Sequence, residues 1–307
     1  MTLRNVFCIG ETVLDIIFRG DVPVAARPGG SMLNSAVSLG RAGVPVHLIT
    51  DFGSDHTGGL VYRFLRENNV STDYVDRYYD GKTALALAFL DDQQNAEYTF
   101  YKDFPQVRLQ IPMPDIQQDD IILFGSFYAL TASIRETLIA LIRLAKSRGA
   151  FILYDPNFRR PHHAGLDLLK PWIIENISLA SLVRGSDEDF RLIFDANTGT
   201  EAFRHIQQAG CPMLIYTKNR DGVEMHTPDN HLALPVTPID PVSTIGAGDA
   251  FNAGVIYALP GKPAATPNLP ERDWENILQS GIRFSENVCL SLDNYISIEF
   301  GRALNQL

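Results

Sequence analysis

Ser243, Thr244, Ile245, Gly246, Ala247, Gly248 and Asp249 stand directly before an apolar helical pattern that carries Ala250, Val255 and Ala258. Two glycines around one small residue allow a tight turn, and successive N–H groups then converge at the amino end of the helix, where a phosphate can bind. Asp249 falls in the first turn, where the helix dipole favours its ionised form, and an ionised Asp can take the proton of a nearby hydroxyl. An amide cradle beside a carboxylate suits phosphoryl transfer. Taken alone, the same residues equally describe a plain tight turn with an acidic dipole partner.

The elements that must hold these residues are legible as a pattern. Short apolar runs recur at Val6 to Ile9, Val46 to Thr50, Ile121 to Gly125, Phe151 to Asp155, Leu179 to Arg184 and Met213 to Thr217, and they read as buried strands. Between them, Leu33 to Arg41, Leu60 to Glu67, Ile134 to Lys146 and Ala202 to Ala209 have helical periodicity. Alternation of this kind predicts a largely parallel α/β sheet whose ligands bind beyond the carboxyl ends of the strands. Asp15 to Val24, and Ala84 to Tyr101 with a turn at Asp91 to Asn95, break the alternation and read as strand and hairpin. Leu259 to Pro270 reads as a surface connection.

A net charge of −10, from 26 basic and 36 acidic residues, makes nucleic acid and anionic membrane poor partners. With 307 residues and 45% hydrophobic content the chain can bury a large core in a single domain. Cys8, Cys211 and Cys289 lie singly in apolar runs and read as buried hydrophobes in a reducing compartment. The apolar run at Val6 to Ile9 is too short for a signal peptide or membrane span, so the expected location is the cytoplasm.

A second glycine cluster, Gly29-Gly30-Ser31-Met32-Leu33-Asn34, lies more than two hundred residues upstream of the first. Its Gly-Gly pair followed four residues later by Asn, together with the Ser243 to Phe251 run, resembles the two signatures of the ribokinase-like, or PfkB, family of carbohydrate kinases. The resemblance covers nearly the whole chain. It implies a Rossmann-like ribokinase fold over residues 1–307: a central, mostly parallel sheet flanked by helices, with a small β-sheet lid from about 12–28 and 83–103. A lid of that kind keeps ATP from water until the acceptor is in place.

The resemblance also implies roles. Asp249 is the base, and Gly246, Ala247 and Gly248 supply N–H groups to the migrating phosphoryl. Asp15, Gly29, Gly30 and Asn34 face the sugar. Asp155-Pro156-Asn157-Phe158-Arg159 looks like the D-x-N-x-R element of fructokinases and 2-keto-3-deoxygluconate kinases, with Arg159 clamping a negative oxygen of the substrate and Asp155 and Asn157 near the nucleotide. Ser186-Asp187-Glu188-Asp189 stands where the family has N-x-x-E, which organises Mg²⁺ through water; Asp189 takes that role here. Thr217, Gly222 and Thr244 are further nucleotide candidates, although Asn219 stands where the family's nucleotide turn has glycine. Ser285 to Asn294 falls on the helix that borders the adenine. Ser243 replaces the family's Asp beside the anion hole, which predicts weak or absent K⁺ activation. The adjacent His162 and His163 cannot readily share one metal ion and read as loop residues.

Competing readings fail on spacing. A dinucleotide fingerprint would need a third glycine where Phe251 stands, and a P-loop ending in Gly81-Lys82-Thr83 would need glycine at Asp76. A catalytically inactive sugar- or nucleotide-binding regulator is a different class, and retention of Asp249 argues against it. The expected activity is an ATP- and Mg²⁺-dependent sugar kinase. Fructose is the first choice of acceptor; 2-keto-3-deoxygluconate, favoured if Arg159 or Lys102 meets a carboxylate, is the second, and ribose and nucleosides are the third. Homodimerisation through the lid is the family's option for assembly.

Overall fold

The computed structural model describes residues 4–90, 96–159, 165–261 and 269–306. The first third of the chain forms β1 (Val6–Ile9), β2 (Val13–Arg19), β3 (Val22–Gly29), α1 (Ser31–Arg41), β4 (Val46–Gly53), α2 (His56–Glu67), β5 (Val70–Ser71), β6 (Val75–Tyr78), β7 (Lys82–Leu90) and β8 (Ala96–Asp103). Then follow β9 (Ile121–Gly125), α3 (Arg135–Ser147), β10 (Phe151–Asp155), α4 (Leu166–Leu179), β11 (Leu182–Ser186), α5 (Asp187–Phe194) and α6 (Gly199–Gln208). The last stretch comprises β12 (Leu214–Thr217), β13 (Val223–His226), β14 (His231–Leu234), α7 (Ala247–Ala258), α8 (Glu271–Cys289) and α9 (Ile298–Leu304).

The central sheet runs β14-β13-β12-β11-β10-β9-β1-β4-β5, with β6 also on β4. Its pairings are parallel except at one edge, where β13 is antiparallel to β12 and β14 antiparallel to β13. Its inner strands β1, β9, β10 and β12 are nearly unbroken apolar runs because both faces are covered. Along β9, Ile121 and Leu123 pack into the core shared with Phe251 of α7 and Ile282 of α8. Ile122 and Phe124 face the opposite core, with Leu138 of α3 and Ile173 of α4. The strand expected from Leu179 instead begins at Leu182, because α4 runs through Leu179 before the chain turns.

A separate sheet of four strands runs β3-β2-β7-β8. The segment expected as one strand from Asp15 to Val24 is two antiparallel strands, because Gly20 at φ 59° takes the left-handed turn that reverses the chain. β7 and β8 form the second antiparallel pair, and β2 joins β7 in parallel from Leu14↔Leu85 to Arg19↔Leu90. The expected turn at Asp91 to Asn95 lies outside the described residues. Below this sheet, Arg108 grips the buried Asp51 at the end of β4 with two bonds of 2.7 and 2.9 Å, and Tyr128 adds a third at 2.8 Å. Breaking such a buried pair from one side costs about 3–5 kcal/mol, so it fixes the connection between β8 and β9 to the core.

Candidate active site

Gly30 precedes α1 with φ 129°, and a Cβ there would meet the Glu11 carbonyl oxygen at 2.1 Å. Only glycine lets the chain enter the helix so close to the end of β1. At Gly29 a Cβ would lie 2.0 Å from Asp15 Oδ2, so that glycine makes room for a carboxylate. Asp15, with Tyr98 of β8, lines a cavity of about 200 Å³ whose other wall includes Ser243, Ile245 and Asn294. Burial pushes the Asp15 carboxyl up to about 7.

The same turn of α1 reaches α7. Ser31 Oγ donates to Asp249 Oδ1 at 2.5 Å and Asn34 Nδ2 to Oδ2 at 2.8 Å, while Ser35 Oγ donates to the Asp249 carbonyl oxygen at 2.8 Å. The two glycine clusters are therefore one site, with Asn34 serving the Asp249 carboxylate. Burial raises Asp249, and although the Ser31 and Asn34 bonds and the Arg159 charge oppose that rise, its carboxyl settles at about 6.

Gly246 caps α7 with φ 81° and no side-chain hydrogen bond, and a Cβ there would meet the Asn294 carbonyl oxygen at 2.4 Å. Ala247 N donates back to Thr244 O at 3.2 Å, and Ala250 N to Gly246 O at 2.8 Å. The Gly248 and Asp249 N–H groups lie among the first-turn donors that a helix itself cannot satisfy. An uncapped amino terminus with such donors fits a phosphate. Thr244 is exposed beside it, and Ser243 Oγ accepts from Ile245 N at 3.2 Å.

Arg184 on β11 was not singled out by sequence. Its Nη1 bonds Asp155 Oδ2 at 3.1 Å and its Nη2 bonds Thr217 Oγ1 at 3.0 Å. A Cβ on Gly248 would stand 2.9 Å from Nη1, so the guanidinium lies against the floor of the cradle and glycine admits it. The signal was present, since a lone Arg inside the apolar run Leu182 to Gly185 is costly unless its charge is used.

The strand ends supply the remaining candidates. Asp155 is buried, accepting from Arg184, from Asn252 Nδ2 at 2.6 Å and from Asn157 N at 3.0 Å. Asn157 itself holds φ 39°. Arg159 is exposed, near enough to Asp249 for its charge to favour the carboxylate. Ser186 and Thr217 are register partners at the ends of β11 and β12. The Thr217 hydroxyl also donates to Gly185 O at 3.3 Å. Gly222 at φ 103° would drive a Cβ to 2.5 Å from Leu234 O, which makes glycine a requirement of the β13–β14 hairpin. Asn219 adopts φ 52°, the left-handed conformation that Asn tolerates, so the turn survives without its usual glycine.

Asp189 forms a capping box with Ser186, accepting at Oδ2 from Ser186 N at 2.7 Å and Oγ at 2.6 Å, while Oδ1 accepts from Phe158 N at 2.5 Å. Burial and the neighbouring Asp155 raise its pKa. Both oxygens thus hold loops together, and α1, α7, β10 and β11 offer no cage of three ligand groups among the described residues. Such surroundings fit a Mg²⁺ that is carried mainly by phosphate oxygens and water.

Two expectations change on the structure. The helix expected through Asn294 stops at Cys289, so residues 290–294 form a turn whose Asn294 backbone abuts Gly246. Lys102 lies 2.8 Å from both Glu11 carboxylate oxygens, so its charge is already paired. His162 and His163 lie outside the described residues. Cys8, Cys211 and Cys289 are buried and free, and no helix among the described residues is long and apolar enough to cross a membrane.

A family model described as pfkB family carbohydrate kinase matches residues 3–297. A fructokinase from Rhizobium leguminosarum bv. trifolii is 28% identical over 269 residues, spanning 83% of this chain and 79% of its own. The crystal structure of Vibrio cholerae O395 fructokinase with fructose, ADP and calcium ion superposes with a TM-score of 0.87 at 19% identity over 99% of each chain. That of Salmonella enterica aminoimidazole riboside kinase, with aminoimidazole riboside and an ATP analog, gives 0.84 at 21% identity, also over 99% of each. At such identities the two structures speak for the fold alone.

Proposed function

The chain belongs to the pfkB family of carbohydrate kinases, and we propose that it moves the γ-phosphoryl of ATP onto a hydroxyl of fructose. The observation that carries this reading is the placement of Asp249, a carboxylate at the uncapped start of α7 held by Ser31 and Asn34 beside the Gly29–Gly30 corner.

Mg²⁺-bound ATP would supply the phosphoryl group and the charge neutralisation along its phosphates. The rest falls to the chain. Asp15 accepts hydrogen bonds from sugar hydroxyls and fixes the ring beneath the small sheet. Asp249 takes the proton of the attacking hydroxyl, and its pKa near 6 leaves it mostly ionised at neutral pH. Gly246, Ala247 and Gly248 aim the amide cradle at the phosphoryl, and the Arg184 guanidinium beneath it stabilises the charge that spreads over the equatorial oxygens. Asp155, Asn157, Ser186, Thr217, Gly222 and Thr244 border the nucleotide, and Arg159 at the edge clamps the acceptor. Asp189 keeps the loops after β10 and β11 in register and would meet a phosphate-bound Mg²⁺ through water.

Fructose leads because the Asp155 to Arg159 element resembles fructokinases and because Lys102 is committed to Glu11, which removes one cation that a sugar acid would need. A riboside is the second reading, supported by sequence similarity to the aminoimidazole riboside kinase of Salmonella typhimurium, 23% identical over 259 residues. Exposed Val22, Val24, Phe100 and Tyr101 on the small sheet support pairing of two chains through it.

A coupled ATPase assay over fructose, 2-keto-3-deoxygluconate, ribose, tagatose phosphate, aminoimidazole riboside and adenosine tests the acceptor. Fructose should give the highest kcat/KM. No acceptor-dependent turnover, or equal turnover in Asp249→Asn, would overturn the kinase reading.

A further inference from the structure

The antiparallel hairpin β13–β14 sets His226 directly opposite His231, and Glu224, two residues before His226, shares their face of the strand. One ligand atom from each of the three lies within 4.8 Å of the others. Glu224 Oε2 is 3.0 Å from His226 Nε2 and 3.6 Å from His231 Nε2. Two donors on a tetrahedral zinc ion at the usual bond lengths of about 2.0–2.1 Å stand roughly 3.3 Å apart. The two separations from Glu224 Oε2 bracket that value, and because the two imidazoles stack with centroids 4.4 Å apart, a turn of the exposed His231 ring is what closes the set.

The surroundings suit a ligand set as well. Lys218 takes Glu224 Oε1 at 2.6 Å, which turns Oε2 toward the two imidazoles. Gly199 at the start of α6 would carry a Cβ 2.2 Å from Glu224 Oε2 and 2.6 Å from His226 Nε2, so only glycine leaves these donor atoms uncrowded. The side chains of Glu224 and His226 are 15% and 5% exposed, whereas His231 is 55% exposed and leaves an entry path and a position for water.

We propose that Glu224, His226 and His231 form a binding site for a transition-metal ion of the zinc class. Two imidazole nitrogens and one carboxylate oxygen suit Zn²⁺ and not Mg²⁺ or Ca²⁺, which take all-oxygen sets. The ion takes the place of the hydrogen bond between His226 Nε2 and Glu224 Oε2, and the ring's one proton is then carried on Nδ1, so the imidazole stays neutral. It clips β13 to β14, the hairpin that follows the turn at Thr217 to Gly222. The site is independent of the kinase reading.

The test uses the untagged full-length chain, stripped with chelator, equilibrated with Zn²⁺ or Mg²⁺ and assayed for bound metal after dialysis. One zinc per chain and no retained magnesium are expected, with a zinc-dependent rise in Tm. His231→Ala, at a half-exposed position, should fold normally, keep its sugar-dependent turnover and lose about 10- to 100-fold in zinc affinity. His231→Gln should behave likewise. Absence of stoichiometric zinc, or equal binding by wild type and both variants, would overturn the site.

Discussion

Asn34 donates its side-chain amide to Asp249 across 2.8 Å, although 215 residues separate them. Its Nδ2 stabilises the charged carboxylate, and its Oδ1 is buried with no donor among the described residues. On the proposed kinase reading, the residue expected to read the sugar would also tune the base, coupling acceptor binding to proton transfer through one side chain.

Asp249→Asn keeps the shape of the site and removes the proton acceptor. Its kcat should fall more than about 100-fold while sugar binding, followed by thermal shift, persists. Near-normal kcat would remove Asp249 from its role. For the wild type, the rate should climb as pH rises through about 6 and level off above, because the base must be ionised. A profile flat from pH 5 to 8 would contradict this.

Arg184→Met should lower kcat by about 10²- to 10³-fold, the usual cost of one donor lost from an oxyanion site. Arg184→Lys retains the charge and should fall between. Because Asp155 loses a partner in Arg184→Met, circular dichroism must first show the variant folded. A structural role would change stability and leave kcat in the folded fraction intact, so the split between kcat and the ATP KM decides.

Asp15→Asn should stabilise the protein at neutral pH. An unfolded Asp titrates near about 3.9, while burial holds the folded group at about 7. Between those values the native chain keeps a proton that the unfolded chain has lost, so stability falls as pH rises through the window. The variant's Tm should exceed wild type by a few degrees at pH 8, with the gain vanishing near pH 4. Its sugar KM should rise about tenfold or more through loss of a charged hydrogen bond. A Tm difference independent of pH would refute the argument.

Exchange of Na⁺ for K⁺ should leave turnover unchanged, since Ser243 offers a neutral hydroxyl already accepting from Ile245 N. A many-fold rise in K⁺ would show a cation site built from other groups.

The alternation of strands and helices was legible because buried parallel strands are written as unbroken apolar runs, and the joining of the two glycine clusters was implied by their resemblance to the two family signatures. Arg184 escaped notice since its meaning depends on Asp155, Thr217 and Gly248, which arrive from three other segments. Asn219 looked like a defect because the motif is written in residue types, whereas the turn requires only a left-handed backbone. The junction of β2 with β7 has no local mark, since nothing near Leu14 announces Leu85. The helix end at Cys289 was missed for want of a proline or glycine beyond it.

That junction fixes an order of assembly. Neither two-stranded ribbon is secure alone in water, and the parallel seam between them closes only after β4 and α2 have carried the chain across the interior slab. A nascent chain stalled before Lys82 therefore holds only the β2–β3 ribbon, with its pairing edge for β7 open, and β9 through α7 still to come.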